Sequence, residues 1–175
     1  EMCALVGAVL GAGSDTAVDL HSYLIKTLLQ HPNQLSELKK DASLVQGAIS
    51  ETLRYESSGK TGLARYASED LEINGHEIKK GQMVQLITST AGMDPKIYKN
   101  PSEFDIKRDH DKSISFGQGP HYCIGVTLVR SQTEVMLKEL FKRFPNLSLG
   151  DEIVYDYNHH NARRMDVMTV KTNIS

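Results

Sequence analysis

From Asp94 to His121 the sequence shows almost no hydrophobic periodicity, and prolines stand at positions 95, 101 and 120. A structureless run of that length sits badly in a compact domain unless it is functional. Behind it, residues 124 to 143 return to a helical pattern through Leu128, Val135, Leu137 and Leu140. Any fold of this chain must therefore hold a long irregular segment in place without a helix or strand ladder, and deliver it to a helix that begins just past Cys123.

Upstream, Leu5, Val9, Leu10, Leu20, Leu24, Ile25, Leu28 and Leu29 recur near the 3.6-residue period, which predicts one helix over residues 2 to 30. It should stop at His31, because the residue before Pro32 is pushed out of helical space. Gly11 and Gly13 each cost about 1 kcal/mol relative to alanine in a helix interior. With Ser14-Asp15-Thr16 following, a local break of the helix is expected there. Pro32 opens a short helix through Lys40, and Asp41 or Ser43 caps another over 43 to 56. Residues 57 to 62 read as a loop, followed by strand-like runs at 63 to 67, 71 to 73, 76 to 78 and 83 to 88, with Asn74-Gly75 as a hairpin turn. Two further strands are expected near 152 to 157 and 166 to 172. The fold class is mainly α with small β-sheets, an α+β chain.

Composition narrows the function classes. Net charge is −2 over 175 residues, so there is no bulk electrostatic case for nucleic acid or an anionic membrane. No uninterrupted apolar stretch of about 18 residues exists, so no membrane span is expected. The apolar opening from Met2 to Ala12 lacks the basic flank of a signal peptide and runs straight into a helical pattern. That start, in mid-pattern, reads as a piece of a longer protein. Two cysteines, Cys3 and Cys123, exclude a disulfide-rich scaffold and a four-cysteine zinc site, and a reducing cytoplasm is the default compartment.

Phe116-Gly117-Gln118-Gly119-Pro120-His121-Tyr122-Cys123-Ile124-Gly125 is the most informative segment. Glycines and proline shape a tight loop that presents Cys123 to a helix N-terminus, where the dipole and free N–H groups favour a thiolate. Gly125 lets something bulky approach the backbone. Three readings stand side by side: a buried structural thiol, a nucleophile paired with His121, and an axial ligand to haem iron. Glu51 and Arg54 share one helix face, and Arg108 supplies a second guanidinium. A carboxylate between two arginines, buried under the irregular segment, would lock it by bidentate hydrogen bonds. Asp15 and Thr16 are either polar residues tolerated at a helix bend, or an acid and an alcohol that handle protons and bound oxygen.

Taken in order, these constellations resemble the C-terminal part of a bacterial-type cytochrome P450, a haem-thiolate monooxygenase. Ala12 to Thr16 is similar to the family's oxygen-activation signature, Glu51 to Arg54 to its helix Glu-x-x-Arg pair, Phe104 to Arg108 to the stretch that completes the Glu-Arg-Arg cluster, and Phe116 to Gly125 to the cysteine-ligand loop. The resemblance runs along residues 1–175 as one portion of a single domain, from the oxygen-activation helix through the last helix. It covers less than half of such a protein, so the N-terminal half is expected to be missing from the chain.

The resemblance implies haem b (iron protoporphyrin IX) as cofactor, with Cys123 as iron ligand and Phe116, Gly117 and Gly125 shaping the loop around it. Arg65 and His121 would pair with the haem propionates. Thr16 would orient bound oxygen and Asp15 would relay protons. N–H groups following Cys123 would bond to its sulfur, and Leu63 and Ala64 would lie near substrate. It further implies a hydrophobic small-molecule or natural-product substrate. Without a flavin or nicotinamide signature in the chain, electrons would come from a separate ferredoxin-type partner. The alternative is a catalytically silent binding module that keeps the fold, or an inactive fragment; the intact Cys123 weighs against the silent module.

Overall fold

The computed structural model describes residues 1–59, 62–158 and 162–172. Helix α1 runs over Met2–Gln30 and ends where His31 takes φ −120° and ψ 69° ahead of Pro32. The break expected at Gly11 and Gly13 does not occur; the helix is continuous through both. The glycine penalty is local, whereas propagation of a 29-residue helix is cooperative. Helix α2, Pro32–Lys40, starts on the expected proline. Asp41 then accepts the Ser43 N–H at 2.9 Å, and a single 3₁₀ turn, Ala42–Leu44, precedes α3, Val45–Tyr55.

The core forms where the C-terminal half of α1 meets α2 and α3. Leu24, Leu28, Ala48 and Ile49 are fully buried, and Leu137 of α5, Val126–Arg143, closes one side. Phe104 and Ile106 enter the same cluster from the irregular segment, so that segment is anchored apolarly as well as by charge. Its backbone lies hard against α3: a Cβ at Gly47 would stand 2.1 Å from the Ile106 carbonyl oxygen. Only glycine permits that approach.

Among the described residues the strands form three separate two-stranded antiparallel ladders. Strand β1, Leu63–Tyr66, pairs with β4, Met83–Leu86, in the register Leu63 to Leu86 and Arg65 to Val84. Strands β2, Leu71–Ile73, and β3, His76–Ile78, form the expected hairpin. Both turn residues, Asn74 (φ 50°) and Gly75 (φ 82°), are left-handed, as a two-residue primed turn requires. The run expected to reach residue 88 stops at Leu86, because Thr88–Ala91 turns into a short helix, α4. The last ladder, β5 (Ser148–Asp156) with β6 (Arg164–Lys171), is longer than its sequence suggested and carries register shifts that blur the alternation. Lys60 and Thr61, inside the expected 57 to 62 loop, lie outside the described residues.

The N-terminal half of α1 is uncovered. Residues 1 to 16 are all exposed, among them Leu5 and Leu10 at 65% and 66%. No uninterrupted apolar run exists, yet by length and window-averaged hydropathy (1.3) α1 is long and apolar enough to cross a membrane. Its C-terminal half is instead committed to the protein core.

Candidate functional site

Two sets of predicted residues come together and two stand apart. The first set is the charge cluster beneath the irregular segment. Glu51 and Arg54 point from α3 into an interior where Glu51 is fully buried and Arg54 is 2% exposed. Arg54 Nε and Nη2 donate to the two Glu51 oxygens at 2.7 Å each, a bidentate pair. Arg108 Nε adds a 3.1 Å bond to Glu51 Oε1, and the Asp105 N–H a further one at 2.8 Å.

Both guanidiniums then turn outward onto backbone carbonyls. Arg54 donates to Gly92, Pro101 and Glu103, and Arg108 to Lys99, Asn100 and Glu103. These carbonyls belong to a segment with no ladder to satisfy them. The arginines replace the missing secondary structure, which is how so irregular a stretch stays packed.

The second set is the cysteine loop. Gly117 and Gly119 both have positive φ, 76° and 68°, which only glycine adopts freely. The turn closes with the Cys123 N–H on the Phe116 carbonyl at 2.9 Å. Cys123 is a free, exposed thiol. It sits two residues before Gly125, the cap of α5, so the helix starts slightly later than expected. A Cβ at Gly125 would meet only Cys123 Sγ, at 3.8 Å, leaving the approach to the sulfur open. Ile124 (97% exposed) and Leu128 (63% exposed) present apolar surface beside it. Phe116 is half-buried, with the Arg130 guanidinium carbon 5.5 Å from its ring centre. No backbone N–H reaches the sulfur, contrary to expectation, among the described residues.

Asp15 and Thr16 stay on α1, and Arg65 stays on β1. The Thr16 hydroxyl donates to the Ala12 carbonyl at 2.7 Å, which leaves its oxygen lone pairs as acceptors. Asp15 pairs with Arg164 Nη2 at 3.5 Å. The Arg65 guanidinium is exposed and rests on the Ala64 carbonyl; His121 is exposed in a one-turn 3₁₀ helix, Gly119–His121. No hydrogen bond or ion pair joins any of these four to Cys123 among the described residues.

Sequence reasoning missed His110. Its ring nitrogens are buried and make no hydrogen bond, and Nε2 stands 3.6 Å from Glu51 Oε2. Burial pushes the imidazole below its ordinary 6.5, outweighing the pull of Glu51, so the approach is of a neutral ring and not an ion pair. In the unfolded chain the same histidine takes up a proton near 6.5, before the folded one does. Stability should therefore fall as pH drops from that value through the depressed folded pKa. His110→Asn is expected to flatten the decline of Tm as the pH falls below 6.5. An identical slope in the two proteins would contradict it.

His21 was missed as well. Thr133 spends its proton on the Val129 carbonyl at 2.6 Å, so His21 Nε2, 2.9 Å away, is the donor that ties α1 to α5. Neither histidine sits in a spacing pattern that would have marked it.

An exposed thiol on a loop shaped by two left-handed glycines, beside apolar surface and ahead of a long helix, is open to the approach of a large flat group. Among the described residues no group of three histidine, cysteine or acidic side chains could hold a bare metal ion. The family model for Cytochrome P450 matches residues 1–154, and the chain belongs to the cytochrome P450 family.

The epothilone C/D epoxidase of Sorangium cellulosum is 37% identical over 170 residues, covering 97% of this chain and 40% of that protein. The biotin biosynthesis cytochrome P450 of Bacillus subtilis (strain 168) is 42% identical over 140 residues, covering 80% of this chain and 35% of the relative. A crystal structure of epothilone D-bound cytochrome P450epoK superimposes with a TM-score of 0.91 at 36% identity, over 97% of this chain and 42% of that one. The chain thus spans 35–40% of the length of these curated relatives. Family members bind haem b, and the lone thiol with its open glycine flank fits that group. Cys123 would supply the thiolate that holds its iron, with Phe116, Gly117 and Gly125 shaping the surface around the sulfur.

Proposed function

We propose that the protein containing this chain is a haem-thiolate monooxygenase, inserting one oxygen atom from O2 into a hydrophobic small molecule. The observation that carries this reading is the Cys123 thiol: free, exposed, and presented by a glycine loop at the head of α5. A haem held by that thiolate supplies redox chemistry and activation of oxygen. The chain's own residues do the rest. The Glu51 cluster keeps the irregular segment rigid, so that the loop presents the sulfur in one place. Arg65 and His121, both exposed, offer donors for carboxylate groups such as propionates. Thr16, its proton committed to Ala12, accepts a hydrogen bond from a water or a protonated oxygen beside α1. Asp15, exposed on the same helix, exchanges protons with solvent and passes them inward.

Natural products are the substrate class favoured by the names of the epothilone epoxidase and biotin-biosynthesis relatives. Electrons come from a separate ferredoxin-type protein. The cytoplasm is the compartment proposed, since both cysteines are free thiols and a reducing environment keeps them so. The relatives are longer than this chain, which supports a further, N-terminal portion that covers the exposed half of α1.

Thr16→Ala tests the oxygen-side assignment. The haem spectrum is expected to persist while product formed per electron consumed falls roughly ten- to hundredfold, with hydrogen peroxide taking up the difference. Unchanged coupling would contradict the role given to Thr16.

A further inference from the structure

A second, partly buried charge cluster joins α1, the end of α3 and the head of β6, and the site described above does not use it. Lys26, 4% exposed, interrupts the apolar face of α1. Its ammonium donates to Glu56 Oε1, lies 3.4 Å from the Tyr155 hydroxyl, and sits 5.0 Å from the centre of the Tyr23 ring. Glu56, the residue that caps α3, gives its other oxygen to Arg163 Nη2. Arg163 Nε donates to the Tyr23 hydroxyl at 3.0 Å, and that hydroxyl donates back to the Arg163 carbonyl at 2.8 Å. Burial pushes the Tyr23 hydroxyl above its ordinary 10.0, so it remains neutral and can serve in both directions. Tyr23 and Tyr155 stack with ring centres 6.4 Å apart, and the Arg163 guanidinium carbon lies 5.2 Å and 5.6 Å from the two rings.

One carboxylate thus serves two cations, with aromatic faces supporting the charge left over. Burying such a set is weak evidence for stability, because desolvation consumes most of the attraction; what it supplies best is a fixed geometry. The geometry fixed here is that of two chain segments. The Arg163 N–H donates to the Ser58 carbonyl at 2.7 Å, and Gly59 bridges Ala162, so the stretch after α3 is tied to the β5–β6 hairpin. That stretch leads into β1 at Leu63. The adjacent Arg164 reaches α1 from the same hairpin, at 3.5 Å from Asp15 and 3.8 Å from Asp19. A shift of Arg163 is passed one peptide unit along to the partner of Asp15.

We propose that Lys26, Glu56 and Arg163 form a positioning clamp that sets how residues 57 to 59 and the paired strands β5 and β6 stand against α1, and so the width of the space open to a ligand on the Asp15–Thr16 side. The inference rests on the functional reading above, in which Thr16 and Asp15 serve the bound oxygen and its protons.

The test uses the haem-loaded, full-length protein with two nitrogen ligands to the iron, imidazole and the bulkier phenylimidazole. The ratio of their Kd values cancels the strength of the iron–nitrogen bond and reports the room beside it. In Arg163→Met the carbon monoxide spectrum of the reduced protein is expected to persist, while the ratio moves roughly three- to tenfold in favour of the larger ligand. Arg163→Lys, which keeps the charge facing Glu56, should stay within about twofold of the parent. A merely structural role would lower Tm and haem loading without moving the ratio.

An unchanged or opposite ratio in Arg163→Met overturns the clamp. If that variant holds no haem, Glu56→Asp and Tyr155→Phe carry the same readout, with a smaller shift in the same direction expected and no shift in either overturning it. A parent protein without a thiolate-type carbon monoxide band refutes the functional reading and the clamp together, whereas a parent band with an unmoved ratio refutes the clamp alone.

Discussion

Replacing Glu51 by alanine is expected to cost about 3–5 kcal/mol of stability. The loss arises less from the missing carboxylate than from what it leaves behind. Arg54, with a side chain 1% exposed, would keep its full charge in an interior without a counter-ion. Arg108 would lose its partner too, at a side-chain exposure of 11%. Both guanidiniums would then draw on the backbone carbonyls of Gly92, Lys99, Asn100, Pro101 and Glu103, and the segment they hold would loosen. Urea unfolding of parent and variant measures the difference. Haem retention should fall with it, because the same segment continues into the cysteine loop. A loss below about 1 kcal/mol would place Glu51 among solvated pairs and contradict its burial.

Cys123→Ala should do the reverse. The side chain is exposed and its sulfur makes no hydrogen bond among the described residues, so the loss in stability is expected to stay within about 0.5 kcal/mol. The loop keeps its shape through the Cys123 N–H and the two left-handed glycines, none of which needs the sulfur. Iron ligation, by contrast, should be abolished outright, with no thiolate-type spectrum at any haem concentration. Near-unchanged unfolding together with a lost spectrum separates a ligand from a structural thiol. A thiolate-type spectrum surviving in the variant would mean that sulfur elsewhere binds the iron.

The two variants also mark what could be read before any coordinates. Glu51, Arg54 and Arg108 were legible because a charge pair at helical spacing beside Ile49, with a third charge in an aperiodic segment, has few ways to be satisfied. The hairpin at Asn74-Gly75 and the stop at His31 were legible because their backbone demands are local. The helix break at Gly11 and Gly13 was wrongly expected: propensity is summed over a whole helix, and 29 residues outweigh two glycines.

His110 and the Lys26 clamp were not legible, since their partners lie far along the chain and no spacing rule connects them. A signal for Lys26 existed all the same. A lone charge between Ile25 and Leu28 on an apolar face calls for a buried counter-ion, and Glu56 is the one it found.

The central claim is that Cys123 holds haem iron through sulfur, and the reduced, carbon monoxide-treated full-length protein tests it most directly. The account predicts the long-wavelength Soret band of a thiolate-ligated haem, present in the parent and missing in Cys123→Ala. A parent protein that binds no haem, or one whose band stands at the shorter wavelength of nitrogen ligation, would contradict it.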